Sequence, residues 1–326
     1  MGLAAGNTPA VPHTHRSLRH AWTRRRAGRG FTYSDEDGRT VRSAEHLERI
    51  RALAIPPAWR DVRIASSPFA KVQATGIDDA GRTQYLYHPR WRERRDARKF
   101  ARALALAARL PAIRRAVTRD LRGARGPRAQ ALAAAVRLVD RAGVRVGGRR
   151  YAQTNGTFGV TTLQRRHVRL EGREAAFDFP GKSGAAWQFR LRDADLAHYF
   201  EGLPKRGARQ PALGYDDGAG FQPLGAAAVN GYFREIAGLS ASIKDLRTWG
   251  GTMVAAASLD SSYGKGLDAD AAWKHAVAQA AEWLHNTEAV ARSSYVDPRL
   301  RDAYEAGRTA STDSAVARLL AESSDG

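Results

Sequence analysis

The stretch FDFPGKSGAAWQFRL, residues 177–191, decides how the larger part of the chain folds. Large apolar side chains alternate with small or polar ones on both sides of its centre, at Phe177, Phe179, Trp187, Phe189 and Leu191. A period of two residues is typical of a strand with one buried face, and the central PGKSG is rich in turn-forming residues. The stretch therefore predicts a β-hairpin with Lys182 at its tip.

Helical patterns surround this hairpin on both sides. An Arg-rich and Ala-rich stretch over residues 93–121 is interrupted at Pro111, and a further helix over residues 127–141 ends before Gly143. More helices are predicted near residues 196, 226–236, 243–259 and 271–284. Residues 93–310 are therefore expected to form a mainly α-helical domain with the hairpin as an insertion.

Residues 28–92 have the composition of a smaller, strand-rich domain. Short extended segments at 62–64, 72–74 and 84–87 are separated by Gly and Asp turns, and one helix is predicted over residues 43–53, with Ser43 as its N-cap. Residues 1–27 are expected to be a flexible basic arm and residues 311–326 a flexible tail. The predicted fold class is α+β.

The charge balance points to a polyanionic partner. Lys and Arg number 53 against 33 Asp and Glu, which leaves a formal net charge of +20. Nucleic acid, an anionic membrane surface and an acidic protein all fit this charge. No apolar run approaches the roughly 20 residues that span a bilayer, and no signal sequence is visible. The absence of cysteine excludes disulfides, thiolate zinc sites and cysteine nucleophiles, and a cytoplasmic location is expected.

Familiar phosphate and metal motifs are missing from the sequence. The GKS at residues 181–183 resembles the end of a P-loop, but Ala176 stands where that motif needs glycine, and a strand rather than a helix follows. His13 and His15 have no nearby carboxylate or third ligand. Because no zinc spacing or magnesium-binding aspartate cluster is apparent, we expect no metal and no cofactor.

A phosphodiester can be cut without a metal if cationic side chains stabilise the charge on its oxygens. Taken singly, each residue that could serve this chemistry has an ordinary structural explanation: a surface arginine, a turn lysine, a helix-capping asparagine or a core tyrosine. The candidates lie in separate segments, at Arg145, Lys182, Arg247, Asn286 and Tyr295. Arg247 follows a capping-box-like helix start at Ser242 and Asp245, where the N-terminal end of a helix is electropositive.

The order of these segments resembles the type IB DNA topoisomerases, in their short bacterial and poxvirus-like form. The resemblance covers about residues 28–308. In the larger domain it is carried by AGVRVG at 142–147, NGTFGVTTL at 155–163, FPGKSG at 179–184, KDLRTW at 244–249 and HNTEAVARSSYVDP at 285–298. In the smaller domain IPPAW at 55–59, QATG at 73–76 and QYLYHP at 84–89 also match.

The resemblance implies a role for each candidate in the larger domain. Tyr295 would attack phosphorus and leave a 3′-phosphotyrosyl bond and a free 5′-hydroxyl. Arg145 and Arg247 would hold the non-bridging oxygens, and Lys182 would protonate the departing 5′-oxygen with help from Arg145. Asn286 stands where eukaryotic and poxvirus members have histidine, and its amide would donate to a phosphate oxygen. His285 is one residue out of register and is expected to point elsewhere.

The resemblance also implies the partner and its mode of binding. The two domains would form a clamp around double-stranded DNA, with Gln84, Tyr85 and Tyr87 on the DNA-facing strand of the smaller one. The protein would act as a monomer on the DNA of the nucleoid, and it would relax supercoils without ATP.

Two other functions remain open at the level of sequence. A tyrosine recombinase shares the chemistry, but recombinases usually carry His-x-x-Arg where this chain has Lys244 and Arg247, and their N-terminal domain is helical. A non-catalytic DNA-binding protein would explain the positive charge, but it would leave the ordered set of Arg, Lys, Arg and Tyr as coincidence.

Overall fold

The structure is a computed structural model that describes residue 18 and residues 20–322. The contacts between residues divide the chain into two units, one up to Ala97 and one from Arg98 onward. No helix within the described residues is both long enough and apolar enough to pass through a membrane.

The first unit is built on a five-stranded antiparallel sheet in the order β2-β1-β3-β4-β5. Its elements are β1 (Ala21–Ala27), β2 (Gly30–Ser34), α1 (Ala44–Ala52), β3 (Arg60–Ala65), β4 (Val72–Ile77) and β5 (Thr83–Tyr87). Helix α1 begins after Ser43, whose side chain accepts the backbone N–H of His46, as predicted. Ile50 of this helix joins Trp22 and Ile64 of the sheet in a buried cluster. The predicted strand-rich character of this region is confirmed.

The prediction of a flexible arm is wrong for residues 21–27, which form β1 in the interior of the sheet. Trp22 is buried opposite Ile64 of β3, so an apolar anchor lies inside the arginine-rich stretch. The guanidinium of Arg24 donates to the carbonyls of Pro56 and Trp59 at 3.1 and 2.7 Å, so this charge is used within the fold. Residues 1–17 and residue 19 of the predicted arm lie outside the described residues.

The second unit is mainly helical. The long helix α2 (Pro89–Ala107) crosses the boundary between the units, and Pro111 lies at the start of α3, as expected of a helix-initiating proline. The remaining helices are α3 (Leu110–Leu121), α4 (Gly126–Ala142), α5 (Arg149–Asn155), α6 (Ala194–Glu201), α7 (Ala226–Ala237), α8 (Ile243–Tyr263), α9 (Ala269–Leu284), α10 (Glu288–Ser294), α11 (Arg299–Glu305) and α12 (Asp313–Glu322).

The predicted hairpin is present in the second unit. Strands β7 (Glu174–Pro180) and β8 (Ala186–Arg192) pair antiparallel, with Phe177 opposite Phe189 and Phe179 opposite Trp187. A third strand, β6 (Val168–Glu171), pairs with the outer edge of β7, and a separate short ribbon consists of β9 (Gly214–Asp216) and β10 (Phe221–Pro223). Together the sheets and helices confirm the α+β class.

The prediction of a flexible tail is wrong for residues 313–322, which form α12. Val316, Leu319 and Leu320 are buried against the helical core. The indole Nε1 of Trp249 donates to Asp313 at 2.6 Å. An apolar stripe within an otherwise small and polar sequence is therefore enough to dock this segment. Residues 323–326 lie outside the described residues.

A buried histidine beside the hairpin should make folding sensitive to acid. His167 is 5% exposed between the rings of Phe158 and Phe179, and its Nδ1 accepts the backbone N–H of Gln164 at 3.1 Å. The pKa of His167 is lowered from 6.5 to about 4, mainly by burial and also by the charge of Arg166, while the carboxylate of Asp178 opposes the shift.

In the unfolded chain the pKa of His167 returns to about 6.5, so below that pH the unfolded chain binds a proton that the folded chain does not. The free energy of unfolding should therefore fall as the pH drops toward 4. We expect His167 to account for about 2 kcal/mol of this loss. Urea denaturation at pH 7 and pH 4.5 should show a smaller loss in His167→Gln than in the unsubstituted chain. An equal loss in both proteins would contradict this account.

Candidate active site

Arg145 is placed by the end of α4. That helix stops at Gly143, which adopts a left-handed conformation with φ of 63°. The backbone that follows is fixed from the other side, because the carbonyl of Arg145 accepts the N–H of Val160 and that of Val146 accepts the N–H of Thr161, both at 2.8 Å. These backbone contacts restrict where the half-buried guanidinium of Arg145 can lie in the second unit.

Arg247 lies one turn into α8, whose capping box is formed as predicted. Asp245 accepts both the backbone N–H and the hydroxyl of Ser242, at 2.8 and 2.9 Å. The Arg247 side chain is 4% exposed. Its Nε donates to the carbonyl of Gly143 at 2.6 Å and its Nη2 to that of Leu284 at 3.3 Å.

These two carbonyls belong to the C-terminal ends of α4 and α9. Helix C-termini carry partial negative charge and carbonyls without intrahelical partners, so they suit a buried cation. Burial nevertheless lowers the pKa of Arg247 to about 10, with the nearby charge of Arg145 adding to the effect and Tyr295 opposing it. The guanidinium therefore stays charged at neutral pH.

Tyr295 stands at the C-terminal end of α10 and is 7% exposed. Nη1 of Arg247 donates to its hydroxyl at 3.2 Å, and the guanidinium carbon lies 5.0 Å from the ring centre. The backbone is equally constrained, because the Tyr295 carbonyl accepts the hydroxyl of Thr252 at 2.9 Å. Arg247 and Tyr295, which are 48 residues apart, therefore meet directly.

The sequence left open that Asn286 merely caps the helix that follows it, and the structure shows that it does not. The hydroxyl of Thr287 caps α10 by accepting the N–H of Val290 at 3.4 Å. The Oδ1 atom of Asn286 instead accepts a hydrogen bond from Nη2 of Arg145. Its Nδ2 is buried and has no hydrogen-bond partner among the described residues. A buried amide donor left without an acceptor is costly, so this group is suited to a ligand.

Lys182 begins a 3₁₀ turn, Lys182–Gly184, at the tip of the hairpin, and its side chain is exposed. It lines a cavity of about 410 Å³ that Arg145, Asn286 and Tyr295 also line. Arg247 lies behind Tyr295 rather than in the cavity wall. The structure thus brings all five candidates together. Four of them line the cavity, and Arg247 contacts the hydroxyl of one of these, Tyr295.

Lys244 also lines this cavity, although the sequence reasoning did not include it among the site residues. The signal was available: Lys244 precedes Arg247 by three residues on the first turn of α8, and residues at that spacing share a helix face.

The three candidates of the first unit lie on β5, the edge strand of its sheet. Tyr85 and Tyr87 project from one face and their rings stack 6.0 Å apart, while Tyr87 also stacks on Trp91 at 4.3 Å. Gln84 projects from the opposite face, because neighbours along a strand alternate. Its Nε2 atom donates to Asp78 at 2.8 Å. The aromatic rings of Tyr85 and Tyr87 thus lie on one face of the strand, and the Gln84 side chain lies on the other.

The cavity has the chemistry of an oxyanion site built around a phenol. Cationic and amide donors surround it, and its lining among the described residues includes no Asp or Glu carboxylate. Such donors stabilise the charge that develops on a phosphoryl group during transfer to a nucleophile. The class that fold and site define is an enzyme that transfers a phosphodiester to its own tyrosine.

Comparison with known proteins places the chain within this class. Residues 88–313 match the family described as eukaryotic DNA topoisomerase I, catalytic core, and residues 30–78 match bacterial DNA topoisomerase IB, N-terminal domain. The DNA topoisomerase 1B of Acanthamoeba polyphaga mimivirus is 28% identical over 282 residues, which cover 84% of each chain. The chain belongs to the type IB DNA topoisomerase family.

Its activity is therefore the relaxation of supercoiled duplex DNA. One strand is cleaved transiently through a 3′-phosphotyrosyl intermediate and then religated. The sequence-based prediction of this activity is confirmed, and the recombinase and non-catalytic alternatives are set aside.

A tight contact behind the site gives a test of its packing. Gly250 of α8 lies so close to Trp283 of α9 that an added Cβ would stand 2.4 Å from the indole Cη2. Gly231 of α7 has open space at the same position. Alanine favours a helix by about 1 kcal/mol over glycine, whereas overpacking costs about 1–3 kcal/mol.

We expect Gly231→Ala to raise the free energy of unfolding and Gly250→Ala to lower it, because only the second displaces an indole. Thermal and urea denaturation of the two variants give this comparison directly. Equal stabilisation by both would show that α8 and α9 are not packed as described.

Proposed function

We propose that Tyr295 is the nucleophile of DNA cleavage and that Arg247 activates it. The observation that carries this assignment is the hydrogen bond from the buried Arg247 guanidinium to the Tyr295 hydroxyl, at 3.2 Å. The guanidinium would orient the hydroxyl and stabilise the negative charge that the phenolic oxygen carries as its proton passes to solvent. In the first step the phenolic oxygen bonds to phosphorus, the bond from phosphorus to the 5′-oxygen breaks, and the DNA is left with a free 5′-hydroxyl.

Arg145 and Asn286, which line the cavity, would donate to the non-bridging oxygens of the phosphate as it reacts. Arg247, which lies behind Tyr295, would stabilise their negative charge from there. The Oδ1 atom of Asn286 accepts a hydrogen bond from Arg145 and so orients its guanidinium. The Nδ2 atom of the same amide would donate to the phosphate. An asparagine thus supplies a neutral donor at a position where the reacting group is anionic.

Lys182 would supply the proton that the departing 5′-oxygen needs. A lysine can release a proton in a way that arginine cannot, and the exposed tip of the hairpin leaves the ammonium accessible to DNA. In religation the 5′-hydroxyl attacks the phosphotyrosine, Tyr295 leaves, and Lys182 recovers its proton. The phosphotyrosyl ester conserves the energy of the broken bond, so no ATP is consumed.

We further propose that Tyr85 and Tyr87, with Gln84 at the same sheet edge, contact duplex DNA. Two stacked rings on an exposed face suit contact with sugars and groove edges, and tyrosine hydroxyls suit phosphates. All five catalytic candidates come from one chain, which supports action as a monomer, and the net charge of +20 supports residence on the DNA of the nucleoid.

Removal of one oxygen atom should abolish the reaction while leaving DNA binding intact. Tyr295→Phe should not relax a supercoiled plasmid in EDTA without ATP, because no nucleophile remains, and its affinity for duplex DNA in gel-shift assays should be nearly unchanged. Tyr263→Phe, at an exposed tyrosine of α8, is the matched control and should relax normally. Relaxation by Tyr295→Phe would remove Tyr295 from the role.

The two faces of the Asn286 amide can be separated by substitution. Asn286→Ala removes both the acceptor for Arg145 and the donor for phosphate, and should slow single-turnover cleavage by up to about 100-fold. Asn286→Asp keeps the acceptor but replaces the donor with a negative charge, so it should be slower than Asn286→Ala. If Asn286→Asp is instead the faster of the two, the residue only orients Arg145, and its proposed contact with phosphate is wrong.

A further inference from the structure

His285 has a backbone conformation that its residue type disfavours. It is the C-cap of α9, with φ of 47° and ψ of 55°, one of three non-glycine residues with positive φ in the described part of the chain. Glycine is the usual residue at such a helix end, since a side chain in the left-handed region is strained. Strain of this kind persists where surrounding contacts hold it, and it often marks a functional position.

The contact that holds His285 is made by its ring. The imidazole stacks on the indole of Trp187 with ring centres 4.0 Å apart and planes inclined by 21°, and it interacts with the backbone of Ala186. Burial lowers the pKa of His285, so the ring is neutral near pH 7. Trp187 and Ala186 both belong to β8, the second strand of the hairpin.

The same indole reaches the base of the hairpin tip. Trp187 is 1% exposed, and an added Cβ on Gly181 would stand only 2.3 Å from its Cδ1 atom. Gly181 also donates its N–H to the carbonyl of Ala185 at 2.7 Å, which closes the turn. Lys182 follows directly. A continuous packed path therefore runs from the imidazole through the indole to the backbone that bears the lysine.

We infer that His285 is a positioning residue that fixes the hairpin, and with it Lys182, relative to the segment carrying Asn286 and Tyr295. The inference rests on the proposed function, because it assumes that Lys182 is the proton donor. A glycine in place of His285 would relieve the backbone but remove the imidazole from Trp187, which would keep ring contacts only within the hairpin, with Phe179 and Phe189. The ring at this position therefore serves the placement of the hairpin rather than the ending of the helix.

The test compares two leaving groups in single-turnover cleavage. One duplex carries the ordinary 5′-oxygen at the scissile phosphate, and the other carries a 5′-bridging sulfur, which departs as a thiolate and needs no proton. General acids contribute about 10²–10⁴-fold, so a displaced lysine in His285→Gly should slow the oxygen substrate roughly 10-fold or more. The sulfur substrate should be cleaved at nearly the rate of the unsubstituted protein.

His285→Gly suits this test because it removes the ring while relieving the strained backbone, so the variant is expected to fold; its thermal midpoint is measured alongside. His285→Phe keeps an aromatic ring for Trp187 and should recover most of the rate on oxygen. His275→Ala, at an exposed histidine of the same helix, should cleave both substrates normally.

Lys182→Ala and Asn286→Ala separate the possible failures. We expect sulfur to rescue Lys182→Ala but not Asn286→Ala, because only the former lacks the acid. If sulfur does not rescue Lys182→Ala, the proposed proton donor is wrong and this inference fails with it. If Lys182→Ala is rescued while His285→Gly is unimpaired, or is impaired equally on both substrates, the proposed function stands and the positioning role of His285 is overturned.

Discussion

The buried guanidinium of Arg247 is the constraint on which the rest of the site depends. A cation removed from water must find acceptors within the protein, and Arg247 finds them at the ends of two helices, α4 and α9, and at the hydroxyl of Tyr295. The carbonyls at the ends of these two helices therefore serve one buried side chain. Helix ends that would otherwise hold unmatched carbonyls thereby support a guanidinium that donates to the Tyr295 hydroxyl.

A second polar contact extends this arrangement toward the substrate. Arg145 and Asn286 approach from a loop and from the residue after a helix end, and each orients the other by a hydrogen bond. When only some of the hydrogen-bonding atoms of a buried polar group have partners in the protein, the remaining donors are available to a ligand. Under the proposed function, a bound phosphate would accept from the Nδ2 donors of Asn286, which have no partner among the described residues.

Sequence patterns predicted those elements whose structure depends on residues close together in the chain. The hairpin of residues 177–191 followed from a period of two, and the start of α8 from the pair Ser242 and Asp245. The arginine-rich stretch of residues 21–27 was misassigned because its place in the sheet depends on Trp22 meeting β3, a contact some forty residues away along the chain. Short-range composition carries no information about such pairing.

The same limit applied within the site. The resemblance to a known family predicted Arg145, Arg247 and Tyr295 as site residues. Sequence alone could not decide whether Asn286 caps a helix, because Thr287 beside it is an equally good cap. Nor did register reveal where the His285 ring goes. It was expected to point away from the site, but it stacks on Trp187 of the hairpin and lines the same cavity as Lys182 and Asn286. That contact depends on a strand about 100 residues earlier in the chain.

The docking of α12 bears on the smallest part of the chain that could work as an enzyme. The family match for the catalytic core ends at residue 313, where α12 begins. Trp249, two residues after Arg247 on α8, donates to Asp313, and α12 covers apolar surface beside it. A fragment trimmed to the limits of the match would open the rear of α8 to water. The packed core of the second unit therefore extends into α12, past the end of the family match.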